Sequence, residues 1–378
     1  MENCDKCTYE GYCRLDRRIV QMDSYIEELF YRKCTEKSVR KKLLFEWIDS
    51  KTIYMSYTDF IKSDAGNYSI HDASHSIAIL NAIEAILGKD KINKLNVTDL
   101  WMLLHCAYGH DFGMPYSYTE LLEFWKQLEK QDSEFSKFYR DATTSDDPDL
   151  KRAAVYIKEL QDILKSDKKH TSSEKIDTEW AAKVYRYVSY ITTEFVRKNH
   201  ARRSMEAMKK CGILKETGAS RIEPRLYKII GKCFYMHSAG DRKEIFELQA
   251  KEYDIESTHC HPRFIAYMLR LGDLLDLSSE RFDAITLLHY GKLPEISELH
   301  KKKHESIEHV CYSDKMIEIV ARSDDESVCN ITNTEFVWIK EEVNFLISHW
   351  SKIAPEDIGG CTLSEPDTKV FLNQELFN

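Results

Sequence analysis

The stretch Val97–Asp111, VTDLWMLLHCAYGHD, is apolar at helical spacing and ends on two adjacent ionisable residues, with Phe112-Gly113-Met114 following. Thr98 is a start signal ahead of Trp101. His110 shares a helix face with Ala107 and Leu103, and Asp111 follows Leu104 by seven positions. Such a face points into a core. A carboxylate buried alone costs several kcal/mol, and an imidazole must still satisfy both ring nitrogens.

The same anomaly recurs in both directions from this helix. His75 lies on a face with Ile79, Ala82 and Ile86. His200 faces Ser204, Ala207 and Cys211, and His237 follows Phe234, Cys233 and Ile230. Asp273 follows Leu269 and Ala266 inside an apolar run. One such His is ordinarily a hydrogen-bonded core residue, and one such Asp a tertiary cap or an ion pair. Four His and two Asp on five helices are satisfied together by a shared cation, for which imidazole nitrogen and carboxylate oxygen are natural ligands.

In this order the blocks resemble the HD superfamily of metal-dependent phosphohydrolases. His71-Asp72-Ala73-Ser74-His75-Ser76 is similar to its opening His-x-x-x-His-Ser, and Tyr108-Gly109-His110-Asp111-Phe112-Gly113-Met114 to its paired HD step. Arg197-Lys198-Asn199-His200-Ala201-Arg202-Arg203-Ser204 resembles the downstream Arg-x-x-His-Ala block. Pro262-Arg263-Phe264, continuing to Arg270-Leu271-Gly272-Asp273-Leu274-Leu275-Asp276, resembles the closing helix. The likeness spans about residues 40–290 and is nearest to HD domains found beside Hsp90-like ATPases or in bacterial conflict and defence systems.

Apolar residues at helical spacing along the chain give a mainly α fold with a small β-hairpin and a helix near the C-terminus, and the resemblance implies that the helices form an HD-type bundle. It implies one divalent metal on His75, His110, Asp111 and Asp273. A second would sit on His200 and His237 with Asp111 bridging; alternatively, a single metal is bound and these two His contact phosphate. Mn, Fe, Ni and Mg all suit the donor set. Asp111, His200 and His237 are then catalytic candidates. His71, one turn before His75, could bind phosphate or protonate a leaving group. Asp72 could orient a His or cap the helix. Arg202 and Arg203 could clamp phosphate, although a charged pair beside a helix is commonly a solvated face.

The activity so implied is hydrolysis of a nucleotide phosphate bond by a metal-activated hydroxide. The sequence has neither G-x-S-x-G nor a G-x-x-x-x-G-K-[ST] loop, so a serine nucleophile and a P-loop ATPase are set aside. A (deoxy)nucleoside triphosphate is the favoured substrate. Against it, Phe112-Gly113-Met114-Pro115-Tyr116-Ser117 lacks the Pro-Phe-Gly-His continuation common in triphosphohydrolases of the superfamily. A cyclic (di)nucleotide phosphodiesterase, a single-strand nuclease and a non-hydrolytic nucleotide sensor are the alternatives. By analogy, a nucleotide activator or inhibitor, a homo-oligomer and a role in antiviral defence are expected.

Composition bounds these readings. The chain has 378 residues, 43% apolar and 31% charged, with only 13 Gly and 7 Pro, which excludes a disordered or fibrous chain. Its formal charge of −9 disfavours duplex DNA as a partner. MENCDKCTYEGYCRLDRR has no apolar signal core, and no run is long enough to span a membrane, so a cytoplasmic protein with reduced thiols is expected. Cys4, Cys7 and Cys13, with Cys34 as a fourth ligand, could hold zinc, but reduced cysteines are the simpler reading. Three parts are expected: an N-terminal helical, Cys-containing segment over 1–40, the HD domain over 41–295 and an extension over 296–378. In the extension, Ser306–Tyr312 and Met316–Ala321 predict a hairpin and 334–350 a helix, with a weakly patterned tail from Pro355. Residues 141–152 and 165–177 read as exposed loops, Gly88 and Gly212 as helix stops, and Lys301–Lys303 as a solvated run.

Overall fold

The computed structural model describes residues 12–15, 18–36, 41–64, 73–128, 130–166, 178–210, 213, 223–255, 258–278 and 295–373. They are mainly helical. An antiparallel pair, β1 (Tyr12–Leu15) and β2 (Arg18–Gln21), precedes α1 (Tyr25–Glu36), α2 (Lys41–Asp64), α3 (Ala73–Lys94) and α4 (Val97–Gly109). Then come α5 (Tyr118–Trp125), α6 (Glu134–Thr144), α7 (Pro148–Ser166), α8 (Thr178–Lys210) and α9 (Pro224–His237). A short hairpin, β3 (Glu252–Ile255) and β4 (Thr258–Cys260), leads to α10 (Pro262–Leu274). The chain closes with α11 (Glu295–Glu305), β5 (Ile307–Tyr312), β6 (Ile317–Ser323), α12 (Glu326–Ile353) and β7 (Asp367–Leu372).

Every residue of α4 is buried, and α1, α2, α3, α9 and α10 pack around it. Its cap is Asn96, one position before the helix, whose side chain accepts from Asp99 N at 2.9 Å. Behind α4, Glu46 of α2 accepts hydrogen bonds from Trp101 Nε1 at 2.8 Å, Tyr227 Oη at 3.0 Å and Ser50 Oγ at 2.7 Å. This large core runs from Ile26 and Phe30 of α1 through the α4 layer to Phe336, Ile339 and Val343 of α12, so it continues across residues 40 and 296. A second, smaller core of Phe124, Phe135, Phe138, Ile157, Tyr187 and Phe195 joins α5, α6, α7 and the first half of α8.

Several local expectations need adjustment. Residues 141–152 are mostly helical: α6 reaches Thr144, and α7 starts at Pro148 with Asp147 Oδ1 accepting from Asp149 N. Proline fits a first helical turn, which is why a Pro- and Asp-rich run starts a helix here. α7 extends to Ser166, and residues 167–177, like Gly212, lie outside the described residues. Gly88 interrupts α3 at φ 72, ψ 155, but helix resumes beyond it as far as Lys94. The last helix is longer than read, because Asp325 caps it and Val328 and Thr332 are buried. The hairpin pairs β5 with β6, and the tail adds β7 parallel to β6. Lys303 is buried and pairs with Glu335 at 2.7 Å. Among the described residues no helix is long and apolar enough to cross a membrane.

Candidate metal centre

Four helix ends and the body of α8 converge on one point. His75 lies in the first turn of α3, and His110 and Asp111 follow α4 directly. His200 is near the middle of α8, His237 is the last residue of α9, and Asp273 is in the last turn of α10. His75 Nε2 is 3.3 Å from His110 Nε2, 3.3 Å from Asp273 Oδ1 and 3.5 Å from Asp111 Oδ2. His110 Nε2 is 3.1 Å from Asp111 Oδ2. On the other side, His200 Nε2 is 3.3 Å from Asp111 Oδ1 and 3.1 Å from His237 Nε2. Asp111 thus turns one oxygen to each half of the cluster. The structure brings together all six side chains that sequence patterning singles out as ligand candidates. Two triads within it, His75–His110–Asp273 and His110–Asp111–His237, have ligand atoms within 4.8 Å of one another.

The opposite ring edges fix the tautomers. His110 Nδ1 lies 3.1 Å from the Ala107 carbonyl, His200 Nδ1 is 2.5 Å from that of Arg197, and His237 Nδ1 contacts that of Phe234. A carbonyl can only accept, so each Nδ1 carries a proton, and in the neutral ring it is Nε2 that presents the lone pair. The fourth His is set by Asp276, whose Oδ2 is 2.7 Å from His75 Nδ1. Opposed lone pairs at 3.1 and 3.3 Å repel unless a cation or proton lies between them. His105, one turn earlier on α4, shows the contrast: its nitrogens meet Tyr54 Oη at 2.8 Å and Glu46 Oε2 at 3.1 Å, and it is satisfied without a cation.

The electrostatics differ between the rings. Burial, reinforced by the neighbouring His110 and His200, pushes His237 down to about 3, so its ring is neutral at neutral pH and could serve as a ligand. Burial works against a charged His110 too, but the Asp111 and Asp273 carboxylates outweigh it and raise that ring. Burial would raise Asp273, yet His75 and His110 hold its carboxyl well below the usual range. With 31% of its side chain exposed, Asp273 marks the open side of the cluster.

The turn after α4 is held by α8. Phe112 N donates to Gly109 O at 3.1 Å and Met114 N to Asp111 O at 2.8 Å. Ser204 Oγ donates to the His110 carbonyl and accepts from Gly113 N at 2.9 Å. Gly113 is required by the close approach: a Cβ there would lie 1.9 Å from the His200 carbonyl oxygen. Arg203 donates to the Gly113 and Pro115 carbonyls and stacks on Tyr116, 3.2 Å from the ring centre, so it is engaged in bracing this turn. Arg202 points to an exposed face, 3.2 Å from Glu134 Oε1. His71 and Asp72 lie outside the described residues, as do Cys4 and Cys7, while Cys34 is buried in the large core. Asp276 and Ser204 are the supporting residues that helical patterning alone does not assign.

Comparison with protein families matches the HD-CE model over residues 56–348. The chain belongs to the HD-CE family. No curated protein and no solved structure matches it. The HD-CE span starts within α2, contains all six clustered residues and the β5–β6 hairpin, and ends within α12. An HD-CE domain with this donor set fits a metal-dependent phosphohydrolase.

Proposed function

We propose that this HD-CE protein hydrolyses a nucleotide phosphate bond with two divalent cations, one on each side of Asp111. His75, His110, Asp273 and Asp111 Oδ2 would hold the first. His200, His237 and Asp111 Oδ1 would hold the second. The single observation that carries this reading is the facing of two Nε2 pairs whose Nδ1 edges are all committed to acceptors. When bound, such cations supply Lewis acidity and a water nucleophile that is deprotonated near neutral pH. The protein's part is to hold six donors rigidly, to keep the His rings neutral on their inner edges and to leave the Asp273 side open for a phosphate. A (deoxy)nucleoside triphosphate is the proposed substrate and Mn the first cation to try. Both rest on the HD resemblance, as do a cytoplasmic, homo-oligomeric enzyme and a defensive role through nucleotide depletion.

The test is a chromatographic panel. The protein is incubated with Mn²⁺ and pooled dNTPs, NTPs, cyclic nucleotides and short single-stranded oligonucleotides, beside Asp111→Ala. Conversion of a dNTP to nucleoside and triphosphate, absent in the variant, is the expected result. A monophosphate released from a cyclic species or an oligonucleotide would replace the triphosphate reading with a phosphodiesterase or nuclease. Turnover that survives in Asp111→Ala would sink the site assignment.

A further inference from the structure

α9 ends on His237, and a helix that ends inside a core leaves its last carbonyls without intrahelical partners. Here a guanidinium fills that role. Arg270 Nη1 donates to the carbonyls of Ala239 at 2.6 Å, Met236 at 3.3 Å and His237 at 3.4 Å. Arg270 is buried in α10, one turn before Asp273, so one side chain ties the helix end that carries His237 to the helix that carries Asp273.

A buried guanidinium needs a counter-charge, and it comes from outside the ligand-bearing helices. Glu342, fully buried on α12, accepts from Arg270 Nη2 at 2.7 Å. Its carboxylate also accepts from Tyr267 Oη at 2.9 Å and Trp338 Nε1 at 3.1 Å. Arg242 Nε stands 3.5 Å away and has its own partner in Glu341 at 2.6 Å. Burial would raise the Glu342 carboxyl, but the hydrogen bonds from Arg270, Tyr267 and Trp338 hold it below its ordinary value. The carboxylate is therefore charged, oriented and committed to Arg270.

We propose that Glu342 and Arg270 are positioning residues of the metal centre: α12 aims His237 by holding the guanidinium that clamps the end of α9. This rests on the paired-cation reading above. The C-terminal helix is then a working part of the His200–His237 half, although it supplies no ligand. Arg fits this task and Lys does not, because only the planar fork can meet a carboxylate and several carbonyls together.

The test uses the full chain stripped with chelator and titrated with Mn²⁺ alone. Stoichiometry and affinity are read by calorimetry, and the cation pair by its electron spin resonance. Three variants are compared with wild type: Glu342→Gln, Arg270→Lys and the double variant Arg270→Met with Glu342→Gln. The double variant removes a buried pair without stranding either charge, and so avoids the destabilisation that a single charge deletion brings. The expected result is that each variant keeps one Mn²⁺ at wild-type affinity and binds the other about tenfold or more weakly. The spin-coupled signal is then lost at Mn²⁺ levels that saturate the wild type. A double variant that melts as a folded protein and binds both Mn²⁺ ions with wild-type affinity would overturn the proposal. A wild type that takes up only one Mn²⁺ would overturn the paired-cation reading itself, and this proposal with it, before any variant is compared.

Discussion

Asp276 Oδ2 sits 2.7 Å from Nδ1 of His75, on the ring edge that faces away from the other ligands. The carboxylate fixes the His75 tautomer and makes its inner nitrogen a stronger donor. Asp276→Ala should weaken metal binding by about 10- to 100-fold while leaving the helical circular dichroism unchanged. Asp276→Asn, which keeps an acceptor but loses the charge, should fall between. Competition with a chelating dye would check both.

Asp111 offers one oxygen to each half of the cluster, so its loss should be felt by both. Asp111→Ala should purify with far less metal than wild type, by elemental analysis of protein prepared without chelator. Activity on any substrate found should drop to background. Retention of both metal and activity would show that the bridging assignment is wrong.

Gly113 has no room for a methyl group against the His200 carbonyl. Gly113→Ala should push α8 off the turn after α4, at a cost of about 1–3 kcal/mol in stability. The lost metal should come from the His200–His237 half, and the triad of His75, His110 and Asp273 should still bind. A thermal melt together with a metal count would separate this outcome from simple unfolding.

A pH dependence follows from Glu120, which closes a capping box with Ser117 and lies 3.5 Å from Arg203. Burial alone would raise its carboxyl, but Lys210, Ser117 and Arg203 bring it down to about 2, from 4.5 for a free side chain. Its folded value is the lower one, so its contribution to stability is present above about pH 4.5 and is lost as the pH falls towards 2. The side chain is 32% exposed, and after solvent screening the effect should be about 1 kcal/mol. Denaturant melts of metal-free wild type and Glu120→Gln should differ at pH 6 and converge as the pH falls towards 2. A constant difference would mean that the carboxylate charge contributes nothing.

The parts legible in the sequence are those encoded by spacing along a single helix. His75, His110, His200, His237 and Asp273 stand out because ionisable groups at core positions violate the apolar stripe of their own helices. Asp276 breaks no stripe. It lies just past the end of α10, where Asp276 N donates to Asp273 O at 3.2 Å, and helical arithmetic cannot tell which way it faces. Arg203 illustrates the limit of reading charge by adjacency: its role depends on where the turn at Gly113–Pro115 passes, which is a tertiary fact. β7 was illegible for another reason. Its strand, Asp-Thr-Lys-Val-Phe-Leu, is largely exposed, so it lacks the alternation of a half-buried strand, and it pairs in parallel with β6 across the whole of α12.

Helix α8 bridges the two cores. Its 33 residues extend about 50 Å. Tyr187, Tyr190 and Phe195 are seated in the smaller core, Ala207 and Met208 in the larger one, and His200 lies between the two seats. Seated at its two ends alone, such a rod would turn any tilt about Met208 into a sideways displacement at His200. At 1.5 Å per residue His200 is about 12 Å from Met208, so a tilt of about 5° would swing it by about 1 Å. Metal–ligand distances tolerate only about 0.2 Å. The contacts of Ser204 and Arg203 with the Gly113 turn, set beside His200, therefore do for this helix what neither core alone could do: they keep its middle from swinging.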